Sequence, residues 1–359
     1  MKRVSLFLAL IAGVIFTSCE NGNWEFSDFD YSTVYFAYQT PVRTITLGND
    51  YVNDNSLDNE HKCQIMATVG GFREIKKDIE IGFTVDNTLC ANLDNVKAMP
   101  SNYYTLSDNS KMIIAKGSKM IGGVVVQLTD AFFADPLSLT ANYVIPLRMT
   151  SVTNADRILA GEAVEGVTNP NRVNKDDWAT LPKDYILYAV KYINNWDAIY
   201  LRRGKDVITE NGVTRTVVRR GQYVPEDDEL VRLYSASLKE IEFPMSYQSS
   251  GSVDLGLKLK MTFSGNDCSF SAFKTDYTVA DTIRVYDVVV TGTGKYVKDG
   301  EKFSWGQKDR DALYLDYNVA YKVNVITQGV NQNVTYSTKD TLVLRDRNIK
   351  VETFTPELK

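Results

Sequence analysis

The sequence predicts an all-β protein of two domains: an N-terminal immunoglobulin-like β-sandwich, then a C-terminal antiparallel, lipocalin-like β-barrel. A second β-sandwich is the alternative for the C-terminal part. Three observations predict it. Short runs rich in Val, Ile, Thr and Tyr recur along the chain, divided by Gly, Asn and Asp clusters. No strand–helix–strand alternation occurs, which excludes doubly wound and α/β-barrel folds. A chain of 359 residues is also longer than one ordinary domain.

The chain opens on a segment outside both domains. Lys2 and Arg3 precede the apolar run "VSLFLALIAGVIF", which is shorter than the roughly 20 residues a spanning helix needs. Its length matches the hydrophobic region of a signal peptide. It ends in Thr17, Ser18 and Cys19, small residues leading into a cysteine, and this looks like a bacterial lipobox. There the thiol receives a diacylglyceryl group and the chain is cut before it. Only a thiolate is nucleophilic enough to form the thioether, and small residues fit the peptidase. The expectation is a signal peptide over 1–18, lipidation at Cys19 and attachment to outer-membrane lipid, since several acyl chains hold a protein where one does not. A cleaved secretory signal with an accidental cysteine is the plainer alternative. Residues 19–32, which include "ENGNWEFSDFDYS", lack periodicity and read as a lipidated tether with Trp24 exposed in it.

Residues 33–165 carry "TVYFAYQ", "VRTITLG", "CQIMATVGG", "DIEIGFTVD", "KMIIAKG", "GGVVVQLT" and "NYVIPLRMTSV". Short strands at this density suggest an immunoglobulin-like sandwich. Turn chemistry separates them, as at Gly70 and Gly71 and in "SDNS". The one passable helix is "NADRILAGEAVEGV" (154–167), which begins on an Asn cap. A Pro-, Asn- and Asp-rich linker follows over 166–180, in which Trp178 is expected to join the domains. From 181 to 359 the runs lengthen and follow one another as a meander, among them "DYILYAVKYI", "AIYLRRGKDVI", "TIRVYDVVVTGTGKYV" and "ALYLDYNVAYKVNVIT". "ENGV" at 210–213 contains an Asn-Gly hairpin turn, and long antiparallel strands in sequence order fit an up-and-down barrel.

Charge and residue inventory narrow the chemistry. The formal charge is −5, and losing Lys2 and Arg3 with the signal peptide takes it to −7. Without a basic block, nucleic acid is not an expected partner. Beyond Cys19 remain Cys63, Cys90 and Cys268, and no pair of them has metal-type spacing. A disulfide between Cys63 and Cys90 is one reading, available in an oxidising compartment; buried thiols in apolar strands are the other. The single histidine, His61, lies in the polar loop "DNEHKC", so any zinc site or His-dependent triad would have to pass through a loop residue. "PEDDEL" and "NDYVNDNSLDNEH" lack the glycine-centred calcium pattern, and "GTGKYVKDG" lacks phosphate-loop spacing. A glycosidase carboxylate pair leaves no motif among 45 acidic residues. No cofactor, metal or catalytic residue is expected.

The passage "ATVGGFREIKKDIEIGFTVDNTLC", with "P-x-x-Y-Y-x-L" at 100–106, "VVVQLTDAFFADP", "YVIPL" and "ADRILAG" after it, resembles an N-terminal domain of Bacteroidetes surface lipoproteins. That domain, of unknown function, is also found ahead of some secreted endo-glycosidases, and the resemblance covers residues 33–162. From Trp178 onward the chain looks like the β-rich partner domain of such lipoproteins. What the resemblance implies is a product of a glycan-utilisation locus, encoded near SusC/SusD-type uptake proteins, that holds a polysaccharide or glycoprotein glycan at the cell surface. It brings no catalytic residues with it.

Glycan recognition needs aromatic faces for the apolar side of a pyranose, flanked by amide and carboxylate groups. The chain has 21 tyrosines and four tryptophans, but β-protein cores use aromatics too, so position must discriminate. Trp305 stands in the polar, glycine-flanked "KYVKDGEKFSWGQKDRD". With Lys302, Gln307, Asp309 and Arg310 around it, it is the candidate ligand platform, loop anchoring being the other reading. Trp196, with Arg202 or Arg203 against its face, is expected to be structural. Thr282 in "DTI" and Thr341 in "DTL" look like O-glycosylation acceptors. The expectation is a non-enzymatic, lipid-anchored glycan binder in which the first domain is a spacer and the second the binder. Alternatives are a structural or adhesive module with protein partners, a glycoside hydrolase accessory, and a barrel with a cavity for a small apolar ligand.

Overall fold

Strand alternation decides which faces meet. The computed structural model describes residues 29–222, 227–247, 254–279, 281–325 and 329–359; Cys19, Trp24 and the signal and tether up to residue 28 lie outside the described residues. In the strand Lys62–Gly70 every second side chain is buried, namely Cys63, Ile65, Ala67 and Val69. Ile121–Leu128 buries Val124, Val126 and Leu128 in the same way, and the two strands pair antiparallel with Ile65 opposite Val124. Ile79–Val85 pairs with Lys111–Ile114 on one side and Tyr143–Thr153 on the other. The sheet so built has 12 strands and encloses a core that includes Phe36, Ile45, Phe83, Phe132, Met149 and Tyr192. Each such buried side chain contributes about 1.5–3 kcal/mol. Cys63, Cys90 and Cys268 are buried free thiols.

Two sequence expectations change around the join. The stretch 154–167 is not a helix: it holds the short strands Arg157–Ile158 and Glu162–Ala163. The competing partner is the Thr33–Tyr35 strand region, because Arg157 N–H donates to the Ser32 carbonyl at 3.2 Å and Leu159 N–H to that of Val34 at 3.0 Å. Asn154, offered as a cap, sits in a left-handed turn with φ 64°. Residues 166–180 are likewise held to the first domain. Trp178–Thr180 pairs with Glu162–Ala163, and the Trp178 indole donates to the Asn171 carbonyl at 2.8 Å.

The sequence begins the second domain at 181, whereas hydrogen bonding puts Tyr185–Ile193 in the first sheet. That strand runs antiparallel to Tyr143–Thr153 and parallel to Pro41–Thr46. The end of the chain returns to the same sheet. Glu352–Thr353 pairs with Pro41–Thr46, and the Lys359 N–H reaches the Asn92 carbonyl at 3.0 Å. The second domain is therefore an insertion between two pieces of the first.

That second domain is an 11-stranded antiparallel sheet. Ile199–Glu210 pairs with Val330–Asp346, then come Arg310–Val325, Ile283–Glu301, Asp267–Ala272, Leu257–Ser264 and Glu240–Met245. The sheet curls, and residues 229–235 bridge its ends. Glu229–Arg232 pairs with Ile199–Glu210, while Tyr234–Ser235 pairs with Glu240–Met245. The inside is packed with side chains such as Tyr200, Phe243, Leu259, Met261, Tyr317 and Leu344. Trp196 belongs to this core, stacked on Phe263 with ring centroids 3.7 Å apart. Arg202 lies over Phe243 rather than over Trp196. No helix among the described residues is long and apolar enough to cross a membrane.

Candidate ligand-binding cleft

Two Arg-Arg-Gly tripeptides, at 202–204 and 219–221, sit at one end of the hairpin made by Ile199–Glu210 and Val213–Arg219. Successive strand residues point to opposite faces, so each arginine pair is split between inside and outside. Arg202 turns into the barrel, where its Nε donates to Asp340 Oδ2 at 2.9 Å and its Nη2 to the Tyr317 hydroxyl at 3.2 Å. The Tyr317 hydroxyl in turn donates to Asp340 Oδ2 at 2.8 Å. Arg219 closes the cluster by donating to both Asp206 and Asp340. Gly204 has no room for a side chain, because a Cβ there would lie 2.1 Å from Asp340 Oδ1 and 2.3 Å from the Lys339 carbonyl. Burial alone would push the Arg202 guanidinium down; the Tyr317 hydroxyl and the Asp340 and Glu229 carboxylates outweigh it and hold the group up. Burial of this ion cluster is tolerable because each carboxylate is matched and hydrogen-bonded.

The outward arginines face a cleft. Arg203 donates to Glu301 at 2.5 Å and lies 3.6 Å from Asp228. The Gly221 N–H donates to Asp228 Oδ1 at 2.6 Å. Arg220 is exposed and has no carboxylate partner among the described residues. The opposite wall is the turn between Ile283–Glu301 and Arg310–Val325, which contributes Glu301, Lys302, Phe303 and Ser304, with Thr341 also in the lining. This open cleft has a volume of about 1010 Å³, larger than the clefts of about 380 Å³ on the first domain. Phe303, with φ 47°, presents a ring that is 87% exposed.

Among the sequence's candidates, Lys302 lines the cleft, while the others support the turn. Asp309 accepts from Lys302 Nζ at 2.9 Å and from the Phe303 N–H at 3.2 Å. The Lys302 ammonium and the Phe303 N–H hold the Asp309 carboxyl below its usual range. Arg310 is buried, and its Nε donates to the Trp305 carbonyl at 2.9 Å. Gln307, with φ 57°, is exposed at the turn. Trp305 is half-buried with the Arg345 guanidinium 4.7 Å over its ring. Thr341 pairs in register with Arg203, and Thr282 is exposed far along the sheet at the start of Ile283–Glu301. Phe303, Arg203, Arg219, Arg220, Asp228 and Glu301 were not singled out as cleft residues from sequence; the doubled Arg-Arg-Gly was the available signal. His61 packs on Phe133 with ring centroids 4.3 Å apart. Among the described residues no group of three or more His, Cys, Asp or Glu is arranged to hold a metal ion.

The domain of unknown function DUF5627 matches residues 195–348, and a family of N-terminal domains matches residues 29–156. A structural-genomics protein of unknown function from Bacteroides ovatus is 41% identical, with a TM-score of 0.77, covering 91% of this chain and 100% of its own. An auxiliary nutrient binding protein from Bacteroides thetaiotaomicron is 15% identical with a TM-score of 0.36, covering 87% of this chain and 95% of its own. A multidomain Bacteroides ovatus protein that includes DUF1735 is 14% identical at 0.35, covering 82% and 90%. The last two are too distant to bear on function. No curated protein matches the sequence.

Proposed function

The chain belongs to the family of the Bacteroides ovatus protein, with a DUF5627 domain in its second half, and from that premise we propose that it is a lipid-anchored glycan-binding protein of the cell surface. The observation that carries the reading is the cleft beside Phe303. Its walls offer donors on Arg203, Arg220 and Lys302 and acceptors on Asp228 and Glu301 within one recess. Sugar hydroxyls need both kinds of partner, and the exposed Phe303 ring suits the apolar face of a pyranose. Arg203 is already paired with Glu301 and Asp228, and Lys302 with Asp309, so much of the local charge is matched. That balance favours a neutral, hydroxyl-rich glycan.

Capture rather than cleavage is the activity. Cys19, acylated after removal of residues 1–18, tethers the two domains to the outer membrane beside a SusC/SusD-like uptake complex. Weak contacts to a repeating polymer are offset by many anchored copies acting together. Isothermal titration of the chain from Glu20 against a panel of polysaccharides and glycoprotein glycans tests this. Heat is expected for at least one glycan, and Phe303→Ala is expected to weaken binding roughly tenfold, the scale of one aromatic contact. A protein folded by circular dichroism that gives no heat with any glycan would sink the reading.

A second reading, a surface module with protein partners, is favoured by one feature. Among the described residues Val213–Arg219 is paired on one side only, with Val213 72% and Val218 66% exposed. Such an open edge accepts a partner strand. Co-purification with a SusC/SusD-like complex, without glycan binding, would favour it.

A further inference from the structure

The turn that carries Lys302 and Phe303 is irregular at its base. Val297 pairs with Ala312 and Glu301 with Arg310, so residues 298–300 bulge opposite the single residue Asp311. Asp299 within the bulge has φ 51°. A ladder broken in this way leaves backbone and carboxylate groups that need partners from elsewhere.

The first domain supplies them. The Tyr51 hydroxyl donates to Asp311 Oδ1 at 2.9 Å and accepts the Asp311 backbone N–H at 3.0 Å. Asp311 is fully buried, and its carboxylate also accepts from the Tyr296 hydroxyl, the Asp299 N–H at 2.9 Å and the Asn49 amide at 3.4 Å. The Arg310 guanidinium lies 4.3 Å over the Tyr51 ring. Its Nε is the donor that holds the Trp305 carbonyl. Beside this contact, buried Arg347 joins the Leu47 carbonyl of the first domain to the Asn195 and Asp197 carbonyls at 2.9 and 2.7 Å. One short first-domain segment therefore grips the bulge and the outgoing strand of the turn.

We propose that Tyr51 is a positioning residue for the cleft: by holding Asp311 at the bulge it sets the orientation of Lys302 and Phe303, so that ligand capture requires both domains. This rests on the glycan reading above and changes the part played by the first domain from spacer to part of the site. Burial and the Asp311 carboxylate push the Tyr51 hydroxyl upward, so it remains a protonated donor.

Tyr51→Phe keeps the ring under Arg310 and removes only the hydroxyl. Hydrogen exchange across 298–310 and titration with the best-binding glycan are measured on the same variant. Expected are exchange in 298–310 at least about 5-fold faster and affinity about 5-fold weaker, the scale of one lost hydrogen bond, with the far-UV spectrum unchanged. Unchanged exchange in that segment overturns the proposal, as does faster exchange with unaltered affinity. Tyr51→Ala, which also empties the space under Arg310, is expected to enlarge both effects. Failure of the native chain to bind any glycan removes the cleft reading itself and is recognised before any variant is compared.

Discussion

Cys63, Cys90 and Cys268 carry the clearest pH signature at the level of single residues. Burial pushes the Cys63 and Cys268 thiols up to about 12 and the Cys90 thiol up to about 11. A thiol in an unfolded chain titrates near ~8.5, so the folded state binds these protons more tightly. Their contribution to stability is present in full below about pH 8.5 and is lost as pH rises toward 11 to 12. In the chain from Glu20, native protein near pH 8 should resist a thiol-specific reagent and label at all three positions once unfolded. Denaturant titrations should show stability falling above about pH 9. Rapid native labelling would contradict this. The candidate site was less legible at this scale. The polar character of the turn at 302–310 is legible in the sequence, and its Lys302 lines the cleft. Which aromatic faces the cleft depends on Arg345, a residue of another strand, covering Trp305, and on the left-handed backbone at Phe303.

At the scale of elements, the hairpin at 199–219 follows its local code. Asn211 and Gly212 have φ of 50° and 86°, and Glu210 pairs with Val213, the conformation a two-residue turn needs to match strand twist. Gly212→Val places a β-branched residue in left-handed backbone and should cost about 1–2 kcal/mol, read as a lower denaturant midpoint with an unchanged slope. A midpoint equal to the native one would show that the turn adapts freely. The same hairpin shows what register adds. Pairing Gly204 with Arg219 brings the two Arg-Arg-Gly motifs together, and the absence of a side chain at Gly204 leaves space for Asp340. Helix capping by Asn154 failed because edge pairing to Ser32 and Val34 takes up the same backbone donors.

At the scale of the whole molecule, the chain leaves its first domain and returns to it. Stopping the chain after Lys350 removes the Glu352–Thr353 pairing, the Lys359 contact to Asn92 and the ion pair of Glu352 with Lys191. The thermal midpoint should fall by about 5 °C, measured by calorimetry; an unaltered midpoint would mean that the returning tail adds nothing. By itself, the sequence determined the all-β class, the hairpin turn and the apolar strand faces, because period-2 alternation and turn residues are local properties; that Cys63 and Cys90 are separate buried thiols rather than a disulfide was decided by the tertiary structure. Tertiary structure alone decided that Tyr185–Ile193 belongs to the first sheet and that the last residues close it. A strand buried on both faces, as "YILYAVKYI" largely is, carries no mark of which sheet it joins. Tertiary structure also decided that Tyr51 meets Asp311, since a hydrogen bond across 260 positions leaves no periodicity in the chain.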